Sequence, residues 1–227
     1  GPLKNIKENK INDTIVFFGS ARIKSESKAK KILSNLNDST SDQVRKKAQK
    51  DVEMSRYYED ARKLAKKFTE WSKGLNSKKS RYIITSGGGG GIMEAANRGA
   101  KEADGISVGL TISLPFEQTS NDYITNELDL KFHYFFMRKF WFIYLAKALV
   151  VWPGGFGTLD EVMELLTLIQ TEKIKKKLPI VLYGSKFWNN VVNWDYLVEC
   201  GTISESDLDL FHISDDIDDA FHFIVDY

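Results

Sequence analysis

The residues best placed to do chemistry in this 227-residue chain lie in one stretch, Pro153-Gly154-Gly155-Phe156-Gly157-Thr158-Leu159-Asp160-Glu161. An apolar run from Ala148 to Trp152 leads into three glycines, and a helical pattern follows at once. A strand opening into a loop and then a helix leaves unpaired N–H groups and the positive end of a helix dipole facing one point. That point is a natural seat for an anion. The spacing sets a carboxylate, Glu161, in the first helical turn beside the seat. Phosphate binding alone has no use for that negative charge, so the pairing points to chemistry on a phosphorylated substrate. A second candidate is Arg138-Lys139, enclosed by Phe135, Phe136, Met137, Phe140, Trp141 and Phe142. A charged pair in such a run is costly unless it faces an anion or a cleft, and a guanidinium fork suits phosphate or ribose oxygens.

A third candidate is the glycine run Gly87 to Gly91, between Tyr82-Ile83-Ile84-Thr85 and Ile92-Met93-Glu94-Ala95-Ala96-Asn97. A turn needs one or two glycines, so five in a row are better explained by a ligand approaching the backbone. Plainer roles stand beside these. Thr158-x-x-Glu161 also reads as a capping box with Thr158 as N-cap. Arg138 and Lys139 also fit a solvated helix face. Ser20 and Asn97 divide evenly between ligand contact and local hydrogen bonding. The aromatic residues at 132–144 fit core or interface better than a base-stacking platform.

These residues need a scaffold, and the pattern supplies one. Residues 1–13 read as a flexible tail, with Gly1-Pro2 a protease-cleavage scar and no signal peptide. Thr14 to Phe18 is a short buried strand ended by Gly19-Ser20, and residues near 24–42 read as a mobile polar insertion. A helix follows to Trp71, with Tyr57, Ala61, Leu64, Phe68 and Trp71 on one stripe. Further strands are expected at Tyr82–Thr85, Ile106–Leu110, 148–152 and Pro179–Tyr183. Helices are expected after Ile92, at Phe135–Lys147, 158–171, Phe187–Cys200 and Asp216–Val225, with a long loop from Leu114 through Tyr123. Strands alternating with helices predict a single α/β domain over 14–227: a doubly wound, mostly parallel, Rossmann-like sheet with helices on both faces. Ligands of such sheets sit beyond the carboxyl ends of the strands, so both glycine loops should face one crevice.

Composition excludes several classes. Net charge is +1, so bulk electrostatics favour neither nucleic acid nor an anionic membrane. The most apolar region, Phe132 to Trp152, carries Arg138, Lys139 and Lys147, which argues against a membrane span. The single cysteine, Cys200, excludes an intrachain disulfide framework and suits a cytoplasmic protein. A dinucleotide fingerprint fails because Ile92 and Asp160 stand where its last glycine belongs. No lysine follows either loop as a P-loop requires. His133, His212 and His222 are far apart, so no metal is expected, and no G-x-S-x-G elbow is present.

The ordered motifs resemble one family. Pro153 to Glu161 is similar to the P-G-G-x-G-T-x-x-E signature of the LOG (Lonely Guy) proteins. Thr85 to Asn97 resembles their upstream glycine loop, Phe135-Phe136-Met137-Arg138-Lys139 their R-K element, and Phe18-Gly19-Ser20-Ala21-Arg22 the opening of the long bacterial-type branch. The resemblance covers roughly residues 14 to 200 and is weakest at 23–45. It implies hydrolysis of the N-glycosidic bond of nucleoside 5′-monophosphates, AMP or N6-modified AMP, to free base and ribose 5-phosphate, as in cytokinin activation. It implies no cofactor, and an assembly of at least a homodimer. By motif match Arg138 and Glu161 take catalytic positions. Lys139, Gly155, Phe156, Gly157, Thr158 and Thr167 take substrate-contacting ones, and Ser20, Gly88, Gly89, Asn97 and Gly154 join them as binding candidates. Glu117 and Glu127 both stand where the family uses an upstream acidic residue. Many relatives carry a lysine decarboxylase label, for which no lysine context here supplies a pyridoxal phosphate Schiff base. The rival reading is a non-catalytic nucleotide-sensing module on the same fold.

Overall fold

The computed structural model describes residues 2–75, 81–112 and 120–227. Its strands are β1 (Thr14–Phe18), β2 (Ile83–Ser86), β3 (Ser107–Ile112), β4 (Asp129–Phe132), β5 (Ala146–Val151), β6 (Ile180–Tyr183) and β7 (His212–Ser214). They form one sheet in the order β4-β3-β2-β1-β5-β6-β7, and every pairing is parallel. A parallel sheet needs crossovers, and helices supply them on both faces. These are α1 (Pro2–Glu8), α2 (Glu26–Ser34), α3 (Asp42–Lys73), α4 (Ile92–Glu102), α5 (Phe135–Leu145), α6 (Phe156–Gln170), α7 (Ser185–Val191), α8 (Trp194–Glu199) and α9 (Ile217–Val225). The doubly wound α/β fold expected from the pattern is present.

Side-chain alternation along β1 divides the core in two. Ile15 and Phe17 join one cluster with Tyr58, Leu64 and Phe68 of α3, Ala95 and Ala96 of α4, and Ala220 and Ile224 of α9. Val16 and Phe18 point the other way, to Trp141 and Phe142 of α5, Val162 and Leu165 of α6, and Trp188 of α7. Burial on both faces explains why β1 reads as an unbroken apolar run.

Several boundaries differ from the sequence reading. Residues 2–13 are not a loose tail: α1 folds there, and Ile6 and Ile11 are buried in the second cluster. Residues 24–42 contain α2, which is capped by Ser25 and buries Ala29. The single helix expected over 187–200 is two short ones, because Asn193 turns the chain and caps α8. β4 and β7 are edge strands of four and three residues, too short to carry a periodic signal of their own.

The topology itself selects the site. From β1 the chain winds out through β2, β3 and β4, then returns to β5 beside β1 and winds the other way. Order therefore reverses between β1 and β5, and the crevice outside their carboxyl ends is where such sheets bind ligands. The Trp152 N–H donates to the Phe18 carbonyl at 2.8 Å, and the Ser20 N–H to the Pro153 carbonyl at 3.0 Å. Those bonds stitch the two loops leaving β1 and β5 into one rim.

Candidate active site

A cavity of about 650 Å³ opens at that switch point. The turn after β1 contributes Gly19 to Arg22, the loop and first turns of α6 contribute 154–161, and α5 contributes Phe135, Arg138 and Phe142. Gly87 and Met93 come from the loop after β2 and the start of α4.

The helix at the floor starts three residues earlier than the capping-box reading requires. Gly155 is the N-cap, in extended conformation and without a side-chain cap, and α6 begins at Phe156. The first intrahelical bond runs from the Leu159 N–H to the Gly155 carbonyl at 3.0 Å. The N–H groups of Phe156, Gly157 and Thr158 therefore lack intrahelical acceptors at the positive end of a 15-residue helix. Thr158 is not an N-cap, and Glu161 belongs to the second turn rather than the first. The physical reason is that Gly155 can leave the strand without a capping side chain, so the helix winds as soon as the loop allows.

Glycine placement shows which backbone is held open. A Cβ at Gly155 or Gly157 would meet no atom within 4 Å, so nothing in the protein's own packing demands glycine there. The run at 87–91 is different. Gly88 and Gly91 hold φ of +75° and +65°, and side chains there would strike Thr111 and the backbone of Ser20 and Ala21. Close packing and left-handed backbone account for much of that run, in place of the ligand approach expected from the sequence.

Glu161 is 9% exposed and faces the cavity. Among the described residues no hydrogen bond or ion pair engages its carboxylate. Burial pushes its pKa up to about 7, against the pull of Lys139 and Arg138 and with help from Asp160 and Glu164. Arg138 lines the same cavity, its guanidinium carbon 5.4 Å from the Phe142 ring centroid. Its Nε is buried without a hydrogen-bond partner among the described residues. Burial pulls the guanidinium below its ordinary value, and Glu161 opposes that pull. A half-buried cation with a buried, unmet donor and a buried carboxylate with no partner thus share one cavity, a pattern that marks functional sites.

The other candidates divide. Ser20, Gly154, Gly155, Phe156, Gly157 and Thr158 line the cavity; Gly88, Gly89, Asn97, Lys139 and Thr167 do not. Phe156 is 93% exposed at the cavity mouth. Asn97 is fully buried, accepts from Ser86 Oγ at 2.6 Å and Asn121 Nδ2 at 3.0 Å, and donates to Ser107 Oγ at 3.0 Å. Asn121 in turn donates to the carbonyls of Gly88 and Gly89. Asn97 therefore shapes the glycine loop from behind. Lys139 Nζ is tied to Asp160 at 2.7 Å and Glu164 at 2.5 Å. Thr167 is exposed and donates to the Met163 carbonyl one turn back. Glu127 is exposed in the turn before β4 and does not line the cavity, while Glu117 lies outside the described residues. Sequence reasoning passed over Arg22, an exposed cation at the rim; its place as the last residue of the Phe18–Arg22 motif was the available signal.

Comparison with known proteins agrees with this architecture. The structural-genomics protein TM1055 has a similar fold, with a TM-score of 0.56 and 17% identity, over 95% of this chain and 99% of that one. The molybdenum cofactor binding protein of the phototrophic bacterium Rippkaea orientalis is similar at a TM-score of 0.53 and 16% identity, over 94% and 96%. The molybdenum cofactor carrier protein of Chlamydomonas reinhardtii is similar at 0.51 and 16%, over 95% and 97%. At such identities these likenesses speak for the fold alone. No curated protein matches the chain. The family model described as "Possible lysine decarboxylase" matches residues 93–224, more than half of the chain, and the chain belongs to that family, the LOG family.

Proposed function

We propose that this protein hydrolyses the N-glycosidic bond of a nucleoside 5′-monophosphate, AMP or N6-modified AMP, releasing the base and ribose 5-phosphate. The observation that carries the reading is Glu161: a buried, unpartnered carboxylate facing the same cavity as the open N–H groups of α6. A site built only to hold phosphate gains nothing from a carboxylate beside it. A site that cleaves a ribosyl C–N bond does, because positive charge grows on the sugar as the base departs.

In this reading the 5′-phosphate sits on the N–H groups of Phe156, Gly157 and Thr158, with Arg22 at the rim. Fixing the phosphate fixes the ribose. Arg138 supplies its free donors to phosphate or ribose oxygens. Ionised Glu161 stabilises the sugar cation and takes a proton from the attacking water, whose oxygen bonds to C1′ as the C1′–N bond breaks. The base leaves with the bonding electron pair and takes up a proton from solvent, while Glu161 returns the proton of the attacking water to solvent, so that one water is consumed overall. The decarboxylase description fits the cavity poorly: none of its described lining residues is a lysine, which Schiff-base chemistry needs.

The competing reading is a non-catalytic nucleotide-binding module on the same fold; two proteins of similar fold are named for binding or carrying a molybdenum cofactor. The unpartnered carboxylate beside the anion seat weighs against it. We also propose that the protein works as a homodimer or larger assembly. Tyr134, Phe135, Phe136, Phe140 and Tyr144, on and just before α5, are all more than half exposed, an apolar patch contiguous with the cavity rim.

The test is incubation of EDTA-treated protein with AMP and with adenosine, separating free base by chromatography. AMP should yield adenine and ribose 5-phosphate, and adenosine should react poorly because phosphate binding energy is absent. Tight AMP binding with no base released from any monophosphate would leave the binder as the correct reading.

A further inference from the structure

Lys139 stands next to Arg138 in sequence and points elsewhere in space. Arg138 faces the cavity, whereas Lys139 lies against α6, its Nζ 2.7 Å from Asp160 and 2.5 Å from Glu164. Those carboxylates are four residues apart and share one face of α6, and Glu161 lies about 100° around from Asp160. Three carboxylates thus occupy little more than one turn of helix. Two of them are gripped from α5 by one ammonium; Asp160 and Glu161 both line the cavity, and of the three only Glu161 lacks an ion-pair partner among the described residues. The Lys139 side chain is only 20% exposed, so it is a packed cation rather than one waving in solvent.

We propose that Lys139 is a positioning residue for the catalytic carboxylate: it ties Asp160 and Glu164 to α5, so that Glu161 is the one carboxylate of the acidic turn that faces the substrate without a cation of its own. This rests on the hydrolase reading, and it replaces the substrate-contacting role that the motif assigns to Lys139. Asp160 and Glu164 both repel negative charge on Glu161, and Lys139 attracts it. One cation therefore offsets part of those two repulsions. The charged groups around Glu161 are Arg138 and Lys139 from α5, and Asp160 and Glu164 from α6; Arg22, from the loop after β1, lines the same cavity. Removing Lys139 leaves Arg138 to oppose two uncompensated carboxylates across a weakly screened cavity.

The test measures Glu161 directly and the reaction separately. In the resting protein labelled with ¹³C at glutamate carboxyls, the Glu161 resonance is the one lost in Glu161→Gln. Its titration midpoint should move to higher pH in Lys139→Met and return in Lys139→Arg, which can still bridge two carboxylates. In turnover assays, Lys139→Met should lower kcat about tenfold near pH 6 and much less near pH 9, with KM little changed. Arginine should restore the rate. An unmoved Glu161 midpoint in Lys139→Met overturns the proposal, as does a rise in KM at every pH, which is the mark of a lost substrate contact. If wild-type protein releases no base, the hydrolase reading fails, and the ¹³C midpoint still decides whether Lys139 governs Glu161.

Discussion

At the scale of single residues, Glu161 is asked to do two incompatible things, and pH separates them. An unfolded glutamate releases its proton near 4.5, whereas burial holds the folded one to about 7. Between those values the unfolded chain loses a proton that the folded protein keeps, so rising pH favours unfolding and stability falls through that window. Glu161→Gln removes the penalty. It should stabilise the protein above about pH 7, by on the order of 2 kcal/mol after allowing for solvent at the cavity mouth, and have no effect below about pH 4.5. Thermal melts at pH 4.5 and 8 check this. The same variant should lose activity by about 10²–10⁴-fold, the range for a missing acid–base group. Helix capping plays no part in either effect, since Glu161 lies beyond the first turn. A folded Glu161→Gln protein that turns over like wild type would refute the mechanism. Wild-type kcat/KM should rise as pH passes through about 7, because the step uses the ionised carboxylate.

At the scale of elements, the α6 N-terminus and the loop after β2 both read as glycine-rich phosphate loops, yet they behave as opposites. Gly157 lies in the first turn of α6 with open space where a Cβ would stand. Gly157→Ala should therefore leave the melting temperature unchanged or raise it slightly, since alanine is the better helix former by about 1 kcal/mol. It should nonetheless raise KM for AMP, because the methyl group occupies the space proposed for phosphate. A lower melting temperature with unchanged KM would count against that space being the anion seat. Asn97 makes the contrasting case. Asn97→Ala removes the acceptor of the buried Ser86 hydroxyl, the donor to Ser107 Oγ and one acceptor of Asn121, which keeps its own bonds to the glycine-loop carbonyls. Denaturant unfolding should show a loss of about 2–4 kcal/mol, from two or more buried polar groups losing partners. Residual activity per folded molecule should fall far less than in Glu161→Gln, because Asn97 acts through the loop.

At the scale of the whole molecule, α5 is the unfinished surface. Only Trp141 and Phe142 among its aromatic residues are buried, while Phe135, Phe136, Phe140 and Tyr144, with Phe156 at the start of α6, stand in solvent. Burying such side chains yields roughly 1.5–3 kcal/mol each, ample to drive self-association. Light scattering at micromolar concentration should give a dimer or larger species, and Phe136→Glu with Phe140→Glu should shift it toward monomer. A monomeric wild-type protein would reject the assembly. Among the described residues no helix is long and apolar enough to cross a membrane, so this patch is not a span.

Much of the molecule was determined by its sequence alone, because those features are local. Apolar runs such as Thr14–Phe18 read as strands buried on both faces, and the glycine stretches after Thr85 and Trp152 as strand-to-helix loops, and the structure has both. Arg138, Glu161 and the 154–158 backbone were legible from residue type and spacing, and the structure brings them to one cavity. Only tertiary structure decided the rest. Where α6 begins depends on how Gly155 leaves the sheet, so the role of Thr158 and the turn that holds Glu161 were not readable from a motif. Whether Lys139 meets substrate or Asp160 and Glu164 depends on the packing of α5 against α6. Whether a glycine serves a ligand or the fold depends on what stands opposite it, and that is open space at Gly157 but backbone at Gly91. Strand and helix periodicity is written into neighbouring residues, whereas burial, pKa and the direction of a side chain arise from residues distant in sequence, and only the folded chain brings those together.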